Sequence, residues 1–222
     1  MGRDGTGVES LYPFLYSGGS DIEAVLDQVR RSTVDKAAEI IELRRLTVQR
    51  DAARLGDCAR AMAKCFAGGG RLFVFGNGGS STDAQAVATT FLHPRPGGRP
   101  LPALSLTDDV AVVTALANDV GFEVVFARQL AAFGRPGDIA VGLSTSGNSD
   151  NLVRAFEEAS RRGLLTIGLA GYEGGKMAEL DTIDYLFVVP SSSVHRIQEA
   201  QTTVYHVLWE LTQAALEAAD GS

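Results

Sequence analysis

The segment Phe73-Val-Phe-Gly-Asn-Gly-Gly-Ser-Ser81 joins an apolar run to a turn of glycine and serine, and Ile139-Ala-Val-Gly-Leu-Ser-Thr-Ser-Gly-Asn-Ser149 repeats that plan later in the chain. Each pattern predicts a strand, a small hydroxyl-rich turn and the start of a helix. Glycines let the backbone approach a ligand closely, and the first amides of a helix direct free N–H groups toward it. The two segments therefore predict two halves of a phosphate-binding site.

The second turn carries more hydroxyls than the start of a helix requires. Capping would need only Asn148 or Ser146. The turn offers four hydroxyls, from Ser144, Thr145, Ser146 and Ser149. We therefore favour phosphate binding over capping alone. Neither turn ends in Gly-Lys-Ser/Thr, and Gly-x-Gly-x-x-Gly is absent, so the sequence lacks the motifs of nucleotide P-loops and dinucleotide sites. We expect the phosphate to belong to a small metabolite.

Composition limits the classes of function. The chain has 222 residues, 45% of them hydrophobic, a net charge of −7 and a pI near 5.0. That balance argues against direct nucleic-acid binding, which relies on clustered Lys and Arg. Cys58 and Cys65 lie two helical turns apart and are expected to be reduced core residues. Since no signal peptide and no membrane-spanning apolar run are recognisable, we predict a cytoplasmic protein without a membrane partner.

The chain is predicted to form a flexible arm over residues 1–20 and a single domain over 21–222. Amphipathic helices are predicted from Ser20 or Asp21 onward, over 34–55 and over 57–66, ending at three glycines. We expect these helices, which precede the first strand, to build a subunit interface.

After the three glycines, apolar runs and helical patterns alternate. Strands are predicted at residues 72–75, 102–106, 139–143, 165–169 and 185–189. Helices are predicted at 82–92, 109–118, 123–133, 148–162, 176–180 and 193–219. This alternation is typical of an α/β protein with a parallel sheet covered by helices. Ligands of such sheets bind beyond the carboxyl ends of the strands, where both serine-rich turns are expected to meet.

Five motifs follow one another in a specific order: Gly76-Asn-Gly-Gly-Ser80, Ala117-Asn118-Asp119, Ser144-Thr-Ser-Gly-Asn-Ser149, residues 171–177 and Arg196-Ile-Gln-Glu199. Together they resemble a sugar isomerase (SIS) domain of the phosphoheptose isomerase type, from about residue 35 to the end. The resemblance implies a flavodoxin-like five-stranded parallel sheet sandwiched by helices, with an N-terminal helical extension. It also implies a homotetramer that binds sedoheptulose 7-phosphate at subunit interfaces and converts this ketose into an aldose phosphate.

The resemblance further implies which residues line the pocket. Those expected to bind the sugar phosphate are Asn77, Gly78, Gly79, Ser80, Asn118, Asp119, Ser144, Thr145, Ser146, Ser149 and Gln198. In the family, a glutamate on the helix after the first turn and a histidine on the last helix move the proton. Together with a second histidine and the glutamine of the Arg-Ile-Gln-Glu motif, they can also hold zinc.

Half of that catalytic set is missing here. Counted from the first glycine motif, Ala86 stands at the position of a family histidine and Thr90 at that of the glutamate. Gln198 and His206 match the other two positions. Neither alanine nor threonine can abstract a carbon-bound proton at neutral pH. Zinc held by Gln198 and His206 alone would be weak, because stable sites take at least three protein ligands.

Three histidines are candidates for the remaining chemistry. His206 is predicted to be an acid or base, although a histidine among apolar helix residues can equally be a core residue. His93 and His195 are possible substitutes, with a surface or pocket-rim role as the alternative. Since Pro94 follows His93, the direction of that side chain is left open.

Two functions follow from these residues. One is a ketose-phosphate isomerase with His206 as acid or base and a replacement for the glutamate. The other is a non-catalytic module that senses a sugar phosphate or regulates the assembly of a protein partner, which Ala86 and Thr90 favour. An amino-sugar phosphate isomerisation would use the same phosphate site and stays open.

Overall fold

A computed structural model describes residues 22–221 of the chain. Helix α1 (Ile22–Ala67) forms its first part. The predicted separation into three helices is therefore wrong, because the segment contains no proline and a single interior glycine, Gly56, costs only about 1 kcal/mol. The helix ends as predicted at the three glycines, where the amide of Gly70 bonds to the carbonyl of Cys65. The predicted N-cap and the arm over residues 1–20 lie outside the described residues.

The chain divides into two compact units between Glu42 and Leu43, within α1. In the first unit, the described residues are helical and several of their apolar side chains are exposed. These are Val25, Leu26, Val29, Val34 and Ile41, which are 46% to 67% exposed. The second unit contains the sheet and the helices that cover it.

The second unit alternates strands with helices. Its strands are β1 (Leu72–Gly76), β2 (Ala103–Ser105), β3 (Ile139–Leu143), β4 (Leu165–Gly171) and β5 (Tyr185–Val189). Its α-helices after α1 are α2 (Gly79–Leu92), α3 (Val110–Asp119), α4 (Val125–Phe133), α5 (Asp150–Arg161) and α6 (Val194–Asp220). All strand pairs are parallel and their order is β2-β1-β3-β4-β5. The predicted flavodoxin-like sheet is confirmed.

Two predicted helices are shorter or tighter than expected. The segment predicted over 176–180 is a 3₁₀-helix, Gly175–Glu179, and a second 3₁₀-helix, Phe122–Val124, precedes α4. Each follows a glycine with positive φ, Gly174 at 95° and Gly121 at 139°. Short 3₁₀-helices of this kind are common at the ends of α-helices and as connectors.

The sheet separates two layers of apolar side chains. Leu72 and Val74 pack on one side with residues of α1, α2 and α6, whereas Phe73 and Phe75 pack on the other with residues of α4 and α5. This alternation follows from the two-residue period of a strand. Cys58 is a fully buried core residue, as expected, and burial raises the pKa of its thiol. Cys65 is only partly buried, and both cysteines are free.

A buried carboxylate joins β1 to β3 at the amino ends of the strands. The carboxylate of Asp138 accepts hydrogen bonds from the backbone amides of Arg71 at 2.8 Å and Arg135 at 2.9 Å. It also accepts one from the guanidinium of Arg71 at 2.7 Å, and Asp138 is 3% exposed. This network holds the edge opposite the serine-rich turns.

We expect Asp138→Ala to lower the free energy of unfolding by about 3 kcal/mol, because it leaves buried donors without an acceptor. Urea denaturation measures the change. Asp57→Ala is the matched control: this carboxylate pairs with Arg60 on the surface of α1, and its loss should cost about 0–1 kcal/mol. Equal losses in the two variants would contradict the structural role of Asp138.

Candidate functional site

The two serine-rich turns leave neighbouring strands at the same edge of the sheet. β1 and β3 pair along their whole length, with Gly76 opposite Leu143. The turns that follow therefore begin side by side at the carboxyl edge, as the sequence predicts. Gly76 allows this close approach, since a Cβ there would lie 2.9 Å from the Leu143 carbonyl oxygen and 2.6 Å from that of Ser80.

A pair of side-chain amides connects the turns. The Nδ2 atom of Asn77 donates to Oδ1 of Asn151 at 2.9 Å, and the reverse bond has the same length. Asn77 belongs to the first turn, and Asn151 lies in the first turn of helix α5. Asn151 is buried, with 3% of its surface exposed, whereas Asn77 is partly exposed. The sequence prediction missed Asn151, whose only signal was its place at the start of a helix after the second turn.

The hydroxyls of the second turn fix its shape and keep a proton to donate. Oγ of Ser144 accepts from the amide of Gly147 at 2.9 Å, and Oγ of Ser146 accepts from the amide of Asn148 at 3.2 Å. A serine hydroxyl that accepts such a bond still has its own O–H donor. Thr145, Ser146 and Ser149 are partly exposed, and Ser144 is buried.

The first turn contacts the last helix. Gly78 precedes α2 with φ 55°, Gly79 and Ser80 begin the helix, and Ser80 is buried. A Cβ on Gly79 would lie 2.3 Å from Nε2 of Gln198, so the glutamine amide lies directly against this turn. The structure thus brings Asn77, Gly78, Gly79 and Ser80 together with Gln198, as the resemblance implies.

Gln198 also holds a carboxylate that the sequence prediction missed. Its Nε2 atom donates to Oδ2 of Asp83 at 3.2 Å. Burial raises the pKa of Asp83, while the bond from Gln198 opposes that shift. Asp83 lies on α2 three residues before Ala86 and seven before Thr90, which is the spacing of one helix face.

Asn118 and Asp119 end helix α3 and are both exposed. Nδ2 of Asn118 donates to Oδ1 of Asp119 at 2.7 Å. Among the described residues, neither side chain has a hydrogen bond to the serine-rich turns. Their predicted contact with the sugar stays a prediction.

His206 lines a pocket of about 210 Å³ with Thr89, Thr90, His93, Arg95 and Trp209. The hydroxyl of Thr90 donates to the carbonyl oxygen of Ala86 at 2.8 Å. His93 caps the end of α2 outside the helix, as a residue before proline is expected to do, and this brings it to the pocket. His195 is exposed in the first turn of α6 and does not line this pocket.

The family's zinc set does not fit these residues. The methyl group of Ala86 offers no ligand, and Thr90 uses its proton on its own helix. Gln198 bonds Asp83, and Nδ1 of His206 faces the carbonyl oxygen of Thr202 at 2.8 Å. Within residues 22–221, no group of three or more His, Cys, Asp or Glu side chains could hold a metal ion.

A larger pocket, of about 770 Å³, lies beside the second turn. Its lining residues are Ser146, Asn148, Tyr172, Glu173, Gly175, Pro190, Ser191 and Ser192. Tyr172 has φ 52°, in the left-handed backbone region that residues other than glycine rarely adopt. This pocket shares Ser146 with the second turn but includes neither Thr90 nor His206.

Residues 34–171 match the family described as the SIS domain. The chain belongs to the SIS domain family. Phosphoheptose isomerases are similar to it over most of its length. That of Roseiflexus sp. is 39% identical over 191 residues, covering 86% of this chain and 96% of the relative. That of Aquifex aeolicus is 42% identical over 176 residues, covering 79% and 91%.

Solved structures of this SIS group agree with the fold. The phosphoheptose isomerase of Neisseria gonorrhoeae superposes with a TM-score of 0.74 and 34% identity, covering 87% of this chain and all of the other. That of Francisella tularensis gives 0.77 and 33%, covering 86% and 98%. The resemblance to the phosphoheptose isomerase type is thereby confirmed. In the described part of the chain, no helix is both long and apolar enough to cross a membrane.

Two glycines allow a matched test of the conformation of the two serine-rich turns. Both have positive φ, 68° at Gly147 and 55° at Gly78. A Cβ on Gly147 would lie 1.9 Å from the carbonyl oxygen of Gly174, whereas a Cβ on Gly78 would meet nothing within 4 Å. We expect Gly78→Ala to cost about 1–2 kcal/mol of unfolding free energy.

Gly147→Ala should cost clearly more, because the second turn must also move away from Gly174. Denaturant unfolding of both variants measures the difference. A smaller loss in Gly147→Ala than in Gly78→Ala would show that the second turn does not have the described conformation.

Proposed function

We propose that this SIS protein binds a phosphorylated sugar, with the phosphate between the two serine-rich turns. The observation that supports this most directly is the reciprocal bond between Asn77 and Asn151, which joins the turns into one cradle. Relatives about 40% identical to it are named phosphoheptose isomerases, which supports a seven-carbon sugar phosphate such as sedoheptulose 7-phosphate.

The cradle can recognise a phosphate through neutral donors. Serine and threonine hydroxyls line it, and two helices, α2 and α5, begin at its turns. The positive end of a helix dipole and its free N–H groups favour an anion there. No lysine or arginine occurs in residues 77–81 or 144–149. Binding therefore depends on the geometry of hydroxyls and amides.

Isomerisation of the bound ketose phosphate is the reaction we propose, with His206 as acid or base. Such a reaction moves a proton between adjacent carbons and stabilises an oxyanion. His206 lies on α6 eight residues after Gln198, about 12 Å along the helix from the cradle. That separation is of the order of an extended seven-carbon sugar phosphate.

A second candidate function is a non-catalytic sensor or assembly regulator that retains the cradle. Ala86 and the internally bonded Thr90 favour it, because neither can take a carbon-bound proton. Both candidates require ligand binding, and only the first requires proton exchange. A cytoplasmic location, an absence of direct nucleic-acid contact and possible protein partners stay predictions.

If the two turns bind the phosphate, removing their hydroxyls should weaken the binding of the sugar phosphate. Ser144→Ala combined with Ser146→Ala should weaken binding of sedoheptulose 7-phosphate by roughly 10- to 100-fold for each hydroxyl, since a hydrogen bond to a charged group contributes about 1.5–3 kcal/mol. Isothermal titration calorimetry measures the affinity. Ser160→Ala, on the exposed surface of α5, is the control and should bind like the wild type. Unchanged affinity in the double variant would refute the cradle.

We also propose that the chain assembles as a homotetramer through the apolar side chains exposed on α1. Val25, Val29 and Ile41 are 46% to 66% exposed, which is unusual for a helix that faces only water. Light scattering coupled to size exclusion should give four times the mass of one chain, and replacing these three side chains by Lys should lower it. A monomeric wild type would contradict the proposal.

A further inference from the structure

The pocket of His206 contains a set of side chains suited to proton transfer without a carboxylate. Two histidines, His93 and His206, line the same 210 Å³ space as Thr90 and Arg95. No aspartate or glutamate lines it. The cluster therefore combines two imidazoles, whose ring nitrogens can accept or donate a proton, with one guanidinium, which can only donate hydrogen bonds.

The hydrogen bond of His206 determines which ring nitrogen can act. Nδ1 lies 2.8 Å from the carbonyl oxygen of Thr202, and a carbonyl oxygen only accepts. Nδ1 is therefore assigned as the protonated nitrogen. In the neutral ring this leaves the lone pair on Nε2, which has no bond to the protein among the described residues. Because the carbonyl oxygen of Thr202 holds the proton on Nδ1, Nε2 is the nitrogen of His206 that can accept a proton from a substrate.

The backbone around Pro94 explains how His93 comes to this pocket. The amide of His93 still bonds the carbonyl oxygen of Thr89 at 2.8 Å, but the residue has left the helix, with φ −122° and ψ 70°. The side chain therefore does not continue along the face of α2. His93 and Arg95, two residues later, are both exposed and line the pocket together with Thr90.

We propose that His93 is the partner acid of His206, the base of the function proposed above, in the isomerisation of the bound ketose phosphate. His93 thus takes the proton-transfer role that Thr90 cannot perform. Arg95 stabilises the negative charge on the substrate oxygen. This inference rests on the proposed sugar-phosphate binding and adds two residues, His93 and Arg95, to the site.

The steps balance without any added reactant. Nε2 of His206 takes a proton from C1, the C1–H electrons form the C1–C2 double bond, and protonated His93 gives its proton to the oxygen on C2. Neutral His93 then removes the proton of the C1 hydroxyl, the C1 carbonyl forms, and the double-bond electrons take the proton of His206 at C2. Both imidazoles return to their initial states and the ketose has become an aldose.

Deuterium incorporation from solvent tests this assignment. Sedoheptulose 7-phosphate is incubated with the full-length protein in D₂O, and carbon-bound deuterium is followed by NMR and mass spectrometry. We expect incorporation by the wild type and a fall of roughly 10²- to 10⁴-fold in His206→Asn and His93→Asn. His195→Asn, which changes an exposed histidine outside this pocket, should keep the wild-type rate.

Calorimetric titration of the same sugar phosphate distinguishes chemistry from binding. Both pocket variants should retain the wild-type affinity for the phosphate end, and added imidazole should partly restore exchange in His93→Ala, which a purely structural role would not allow. A wild type that binds without exchange, or a His93→Asn variant that exchanges at the wild-type rate, would overturn the inference. A wild type that does not bind would overturn the proposed function, and this inference with it.

Discussion

The paired amides of Asn77 and Asn151 are the contact on which the site depends. Parallel pairing of β1 and β3 brings two turns to one edge of the sheet, but strand pairing alone does not fix how the turns face each other. The reciprocal bonds, each 2.9 Å long, add that constraint through side chains that are otherwise uncharged. Helices α2 and α5 begin at these joined turns, so the free N–H groups of both helix starts lie next to them.

Much of this arrangement could be predicted from the sequence. The apolar runs and their glycine-serine turns identify the parallel sheet, and the turn order places both halves of the cradle at its carboxyl edge. The number of helices before the sheet was predicted wrongly. In the sequence, polar residues near residue 33 and a glycine at 56 suggest breaks between helices. Neither interrupts the backbone hydrogen bonds of a helix as a proline does.

The pocket that contains His206 could be predicted only in part. His206 is recognisable because it keeps its spacing from Gln198 on one helix, whereas His93 lies beyond the end of another helix, where the direction of a side chain depends on a single ψ angle. Asn151, Asp83 and Arg95 carry no distinguishing motif. Their roles depend on contacts between elements far apart in the chain, such as the bond from Gln198 to Asp83.

The absence of lysine and arginine from both turns affects how the protein responds to its surroundings. The backbone amide of Lys176 bonds Asn148 of the second turn, and its ammonium group pairs with Asp150 at 2.7 Å. The two opposite charges largely cancel, so Lys176 adds little electrostatic attraction for an anion. Hydroxyl and amide dipoles act over a few ångströms, well inside the distance at which dissolved ions screen charges. Occupancy of the cradle should therefore vary little with ionic strength and follow the abundance of the metabolite itself.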